Sequence, residues 1–106
     1  MTPYIAFFAD GEHSFRLTAP LIRELEAKCN SGIGAIAQRA FARAFTQTEI
    51  TETVRLALIG GGMPAKRAHE LVAAYATPPL IETSELAAKI LERTLFGNPH
   101  DPKEPN

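Results

Sequence analysis

Tyr4-Ile5-Ala6-Phe7-Phe8-Ala9-Asp10-Gly11-Glu12-His13-Ser14-Phe15-Arg16-Leu17 is the stretch that decides the fold. The runs Tyr4 to Ala9 and Glu12 to Leu17 flank an Asp-Gly pair, and Asp-Gly supplies the positive φ angles of a two-residue hairpin turn. A turn centred there predicts a register with Ala9 opposite Glu12, Phe8 opposite His13, Phe7 opposite Ser14, Ala6 opposite Phe15, Ile5 opposite Arg16 and Tyr4 opposite Leu17. Cross-strand partners share a face. One face then carries Tyr4, Ala6, Phe8, Phe15 and Leu17 with His13, which reads as a core face. The other mixes Ile5 and Phe7 with Glu12, Ser14 and Arg16.

From Thr18 onward the apolar period changes from two to 3.6. Thr18 is the expected N-cap of a first helix, with Pro20 in its first turn and Leu21, Ile22, Leu25 and Cys29 inward, ended by Asn30-Ser31-Gly32. Ile33, Ile36, Ala37, Ala40, Phe41, Ala44 and Phe45 form the stripe of a second. Thr46-Gln47-Thr48-Glu49 has capping-box spacing and precedes a third helix over about Thr48 to Ile59, with Ile50, Val54, Ala57 and Leu58 inward and Gly60-Gly61-Gly62 as its stop. Pro64 opens a fourth helix with Ala68, Leu71, Val72 and Tyr75 on one side, ended by Thr77-Pro78-Pro79. Leu86, Ala87, Ile90, Leu91 and Leu95 line a fifth, closed by Gly97. The expected fold is therefore α+β: an N-terminal β-hairpin followed by a bundle of about five short α-helices. Residues 1–97 are expected to form one domain, and residues 98–106, with three prolines in nine positions, a disordered tail.

Composition bounds the function. The chain has 106 residues, 45% hydrophobic and 22% charged, with a formal net charge of −1. That balance lacks the basic footprint of a dedicated nucleic-acid binder. One cysteine, Cys29, excludes an internal disulfide and cysteine-based zinc or iron–sulfur sites. Neither a signal peptide nor a membrane-spanning stretch is legible, so the expected location is the cytoplasm, with no membrane partner.

The constellations that carry chemistry are thin. Gly60-Gly61-Gly62 ahead of a helix lacks the preceding strand and the Gly-Lys-Ser or Gly-Lys-Thr of a phosphate loop, and reads as turn chemistry. His13, His69 and His100 are scattered over a hairpin, a helix and the tail. Cys29 sits on an apolar stripe with no neighbouring His to ionise it. Arg39 and Arg43, at helical spacing, allow a helix-turn-helix reading, but a solvated helix face accounts for them too. Glu24, Glu26, Glu49 and Glu52 read as exposed helix charges. No catalytic, cofactor-binding or metal-binding set is expected.

Apolar residues in unexpected places say more. Ile5 and Phe7 stand on the mixed hairpin face with Arg16, and Leu56 and Ile59 fall off the inward stripe of the third helix. Either helices cover these positions or a partner does. These five residues, Ile5, Phe7, Arg16, Leu56 and Ile59, are the candidate protein-interaction surface, and the occupant is either a second copy of the chain or a segment of another protein.

The order of short motifs adds a family. Asp10-Gly11-Glu12-His13-Ser14-Phe15-Arg16-Leu17-Thr18, then Ile22-Arg23-Glu24-Leu25-Glu26, Gly32-Ile33-Gly34-Ala35, Leu58-Ile59-Gly60-Gly61-Gly62, Leu71-Val72-Ala73-Ala74-Tyr75 and Ile90-Leu91 to Leu95-Phe96-Gly97 resemble the gene transfer agent family of phage tail assembly chaperones. Its members are also described as tail tube proteins. The resemblance implies a non-enzymatic role in prophage or gene transfer agent tail assembly: keeping the helical tape measure protein soluble and bringing tail tube subunits to it. A structural tail component is the second reading, and a helix-turn-helix regulator the third.

Overall fold

The computed structural model describes residues 3–97. Strands β1 (Tyr4–Phe8) and β2 (Gly11–Phe15) form an antiparallel hairpin, followed by helices α1 (Ala19–Cys29), α2 (Ile33–Phe41), α3 (Gln47–Gly60), α4 (Ala65–Tyr75) and α5 (Ile81–Phe96). This is the expected α+β architecture of a hairpin and five helices. The expected tail, with His100, lies outside the described residues.

The hairpin register differs from the sequence expectation. Phe8 pairs with Gly11 and Tyr4 with Phe15, so the loop is Ala9-Asp10 and not Asp10-Gly11. Ala9 takes the positive φ of 61°, whereas Gly11 has become a strand residue. The turn is held by one local and one tertiary bond: Asp10 accepts 2.9 Å hydrogen bonds from His13 Nε2 within the hairpin and from Arg67 Nη2 on α4. Moving the turn by one residue changes the pairing by two positions, so every side chain keeps its face; a slip of one would have inverted them. Phe8 and Phe15 are accordingly buried.

Helix α3 is the hub. It packs on α1, α4, α5 and β2, and Ile50, Thr53, Val54, Leu56, Ala57 and Leu58 are all buried. A helix enclosed on most sides has no outward apolar stripe, so a residue off the main stripe still points at protein. That overturns the expectation for Leu56, which is fully buried. Ile59 is partly buried and packs against the same core.

The capping box at the start of α3 forms as expected. Thr46 Oγ1 accepts from the Glu49 N–H at 3.1 Å, and Glu49 Oε1 accepts from the Thr46 N–H at 3.0 Å. At its far end the glycines serve a purpose beyond turning. A Cβ on Gly60 would overlap the Arg16 carbonyl and meet Leu21 Cδ1 at 2.9 Å, and one on Gly61 would overlap the Ser14 carbonyl. Only backbone fits between the end of α3 and β2, where the Arg16 N–H also donates to the Ala57 carbonyl at 2.9 Å.

Three further boundaries depart from expectation. Helix α2 stops at Phe41 because Arg43 adopts φ 59°, and the Arg43 N–H to Ala40 C=O and Ala44 N–H to Arg39 C=O bonds close the end. Phe45 thereby turns back onto the core. At the end of α4, Tyr75 is exposed and Ala76, just past the last turn, takes the buried place. At the end of α5, Leu95 and Phe96 are both exposed.

Candidate interaction surface

The hairpin presents one face to the helices and one to solvent. Tyr4, Ala6 and Phe8 alternate inward along β1, with Tyr4 tilted against Phe15 and capped by the Arg93 guanidinium, 5.1 Å from its ring centre. Alternation sends Ile5 and Phe7 outward. They are 54% and 70% exposed, opposite Ser14 and Glu12.

The two edges of the hairpin are unlike. The outer side of β2 is abutted by the Gly60-Gly61 end of α3. Along β1, no backbone group of Tyr4–Phe8 bonds to any described residue outside the β1–β2 ladder. Such an edge offers main-chain donors and acceptors to another strand. Beside its Phe7–Ala9 end lies a cleft of about 260 Å³ that Tyr75, Glu82 and Leu86 also line.

The five residues singled out from the sequence are thus only partly brought together. Ile5 and Phe7 share the exposed face. Arg16 lies just past the ladder, its backbone bonded to α3. Leu56 is in the core, and Ile59 packs at its margin. The residue that sequence reasoning missed is Tyr75, 53% exposed beside Phe7. Helical spacing put it inward; the signal that it need not be is its place next to the Thr77-Pro78-Pro79 break, where the helix no longer fixes which way a side chain faces.

A second groove, of about 400 Å³, runs between α2 and α5. Ala40, Phe41 and Ala88 line it, and Arg43 and Glu85, paired at 3.3 Å, stand at it with Lys89.

The charged groups hold the fold together. Arg39 Nε donates to Glu49 Oε2 at 2.8 Å, its Nη2 donates to the same oxygen, and Nη2 reaches Ser31 Oγ at 2.9 Å. One side chain of α2 therefore ties the α1–α2 turn to the start of α3. Glu49, read from sequence as exposed, is buried. Burial pushes its carboxyl up, but the hydrogen bonds from Arg39 and Thr46 outweigh that and hold it below the ordinary value. Glu26 likewise accepts the Ile33 N–H at 2.9 Å and caps α2. Arg55 pairs with Glu52 at 2.8 Å and reaches Glu24 on α1 at 3.7 Å, and the Arg55 hydrogen bond keeps Glu52 below its ordinary value.

These pairings bear on the other chemistries. The Arg39 and Arg43 guanidiniums that would anchor a nucleic-acid helix are engaged with Glu49 and Glu85. Burial, then the Glu49 and Glu52 charges, raise the Cys29 thiol above its usual value, the opposite of what a nucleophile needs. Among the described residues no group of three or more His, Cys, Asp or Glu is placed to hold a metal ion. None of the described helices is long and apolar enough to cross a membrane.

Comparison with known proteins gives one family. A family model described as phage tail tube protein, GTA-gp10, matches residues 4–97. No curated protein and no solved structure matches the chain.

Proposed function

The chain belongs to the phage tail tube protein, GTA-gp10 family, and we propose that it acts without catalysis, as an adaptor and chaperone that binds other tail proteins while the tail of a phage or gene transfer agent is built. Its partners in this reading are the tape measure protein and the tail tube protein, met in the cytoplasm. The observation that carries the proposal is the exposed face of β1. Ile5 and Phe7 sit there in the open, next to Tyr75 and an unpaired strand edge. Isolated exposed apolar side chains are ordinary, but several adjoining a free edge and a cleft support the reading of a surface that takes a protein partner.

A tape measure protein offers long amphipathic helices, and the groove of Ala40, Phe41 and Ala88 between α2 and α5 suits the apolar face of one helix. Binding is tested by size-exclusion chromatography of the full chain mixed with the tape measure protein from the same tail gene cluster. Co-elution is the expected result; separate elution at micromolar concentrations would contradict it.

The family description itself favours a second reading, a structural component that stays in the tail. Mass spectrometry of purified particles separates the two. A chaperone is absent from them or present far below the tube subunit, whereas a structural component is present in fixed ratio to it.

A further inference from the structure

We propose that the open edge of β1 pairs with β1 of a second copy of this chain, antiparallel about a two-fold axis at Ala6, to make a four-stranded sheet. In a hairpin with a two-residue loop, the pair that closes the loop exchanges both main-chain hydrogen bonds, and such pairs alternate with non-bonded ones. Phe8↔Gly11 is that closing pair. Phe8, Ala6 and Tyr4 therefore bond inward to β2, and the N–H and C=O groups of Ile5 and Phe7 point outward along the free edge.

Those outward groups define a register. With the axis at Ala6, Ile5 faces Phe7 of the second copy and Phe7 faces Ile5 of the second copy, and both are pairs whose main-chain groups meet. Each also sets a β-branched side chain beside an aromatic one on the exposed face, a favourable cross-strand combination.

A second copy is the occupant that the strand itself fits. Tyr4–Phe8 carries no charge, so pairing it with itself brings no like charges together. It also lacks the lysine, inward charge or bulge that edge strands use to prevent this contact. The association closes at two, because the outer side of β2 is already held against Gly60 and Gly61. The contact is isologous, each copy giving what it receives.

The test uses the full chain and reads both mass and register. Sedimentation velocity from 1 to 100 µM is expected to show a monomer passing to a species of twice the mass and no larger. Ile5→Pro removes only the outward N–H, at an edge position that tolerates proline, and should weaken the dimer at least tenfold while the circular-dichroism spectrum stays unchanged. Register is read in a Cys29→Ser background by mixing Ile5→Cys chains with Phe7→Cys chains. The paired Cα atoms would lie ~5.5 Å apart, within disulfide reach, so the mixture should form a disulfide-linked dimer that neither chain forms alone. A monomer at every concentration overturns the proposal. So does a dimer that Ile5→Pro leaves intact, that cross-links as readily in the unmixed chains, or that forms only when another tail protein is added.

Discussion

Gly60 stands against the main-chain carbonyl of Arg16 with no room for a side chain between them. Through this contact and its neighbour, Gly61 against Ser14, the hairpin is seated on the central helix. Gly60→Ala and Gly61→Ala are each expected to destabilise the protein by about 1–3 kcal/mol through overpacking against backbone that cannot rotate away. Gly34, near the start of α2 with open space around it, is the control: Gly34→Ala should stabilise by about 0.5–1 kcal/mol. Urea melts of the three variants check the contrast.

In the hairpin loop, Ala9 holds a φ of 61° that costs an L-residue about 1–2 kcal/mol. Glycine adopts it freely but loses more chain entropy on folding. Ala9→Gly is expected to raise stability by about 0.5–1 kcal/mol, visible as a melting temperature several degrees higher. No gain in melting temperature would mean that the loop is not held in this conformation.

Leu56 and Phe7 should respond in opposite ways. Leu56 is fully buried, so Leu56→Ala should cost about 2–5 kcal/mol. Phe7→Glu alters an exposed side chain and should change folding by less than about 0.5 kcal/mol, while weakening association through the hairpin. Thermal unfolding and sedimentation of each variant read the two effects separately.

The acid side of the stability curve belongs partly to Glu49 and Glu52. Both carboxyls are held below their ordinary values in the folded chain, so they stabilise it above an unfolded pKa near ~4.3 and lose that contribution as pH falls through their folded values. Denaturant midpoints should therefore fall with pH once it drops below about 4.3, the unfolded value. Glu49→Gln, which keeps a side-chain acceptor for the Thr46 N–H, should lower stability at pH 7 by about 1–3 kcal/mol. Its acid slope should be shallower than that of the parent chain.

What the sequence disclosed, and what it hid, follows from how local each feature is. The change of period at Thr18 and the Thr46–Glu49 box gave the hairpin and helix order, because period and capping act within a few residues. The faces of β1 were legible even though the turn lay one residue early, since face depends only on parity. Leu56 and Glu49 were misplaced for one shared reason: α3 is surrounded by other elements, and no local pattern reports what lies behind a helix. The glycines were read as turn formers because the carbonyls they pack against are more than forty residues away in sequence. In the candidate surface, Ile5 and Phe7 were found by strand alternation. Tyr75 was not, because its direction is set where α4 breaks.

The central claim, an adaptor that keeps a tail partner in solution, is tested most directly by co-expressing the tape measure protein of the same tail gene cluster with and without this chain and measuring its soluble fraction after lysis. The account expects most of the tape measure protein to be soluble with the chain and most of it to be insoluble without it. An equal soluble fraction in both cases would contradict the account.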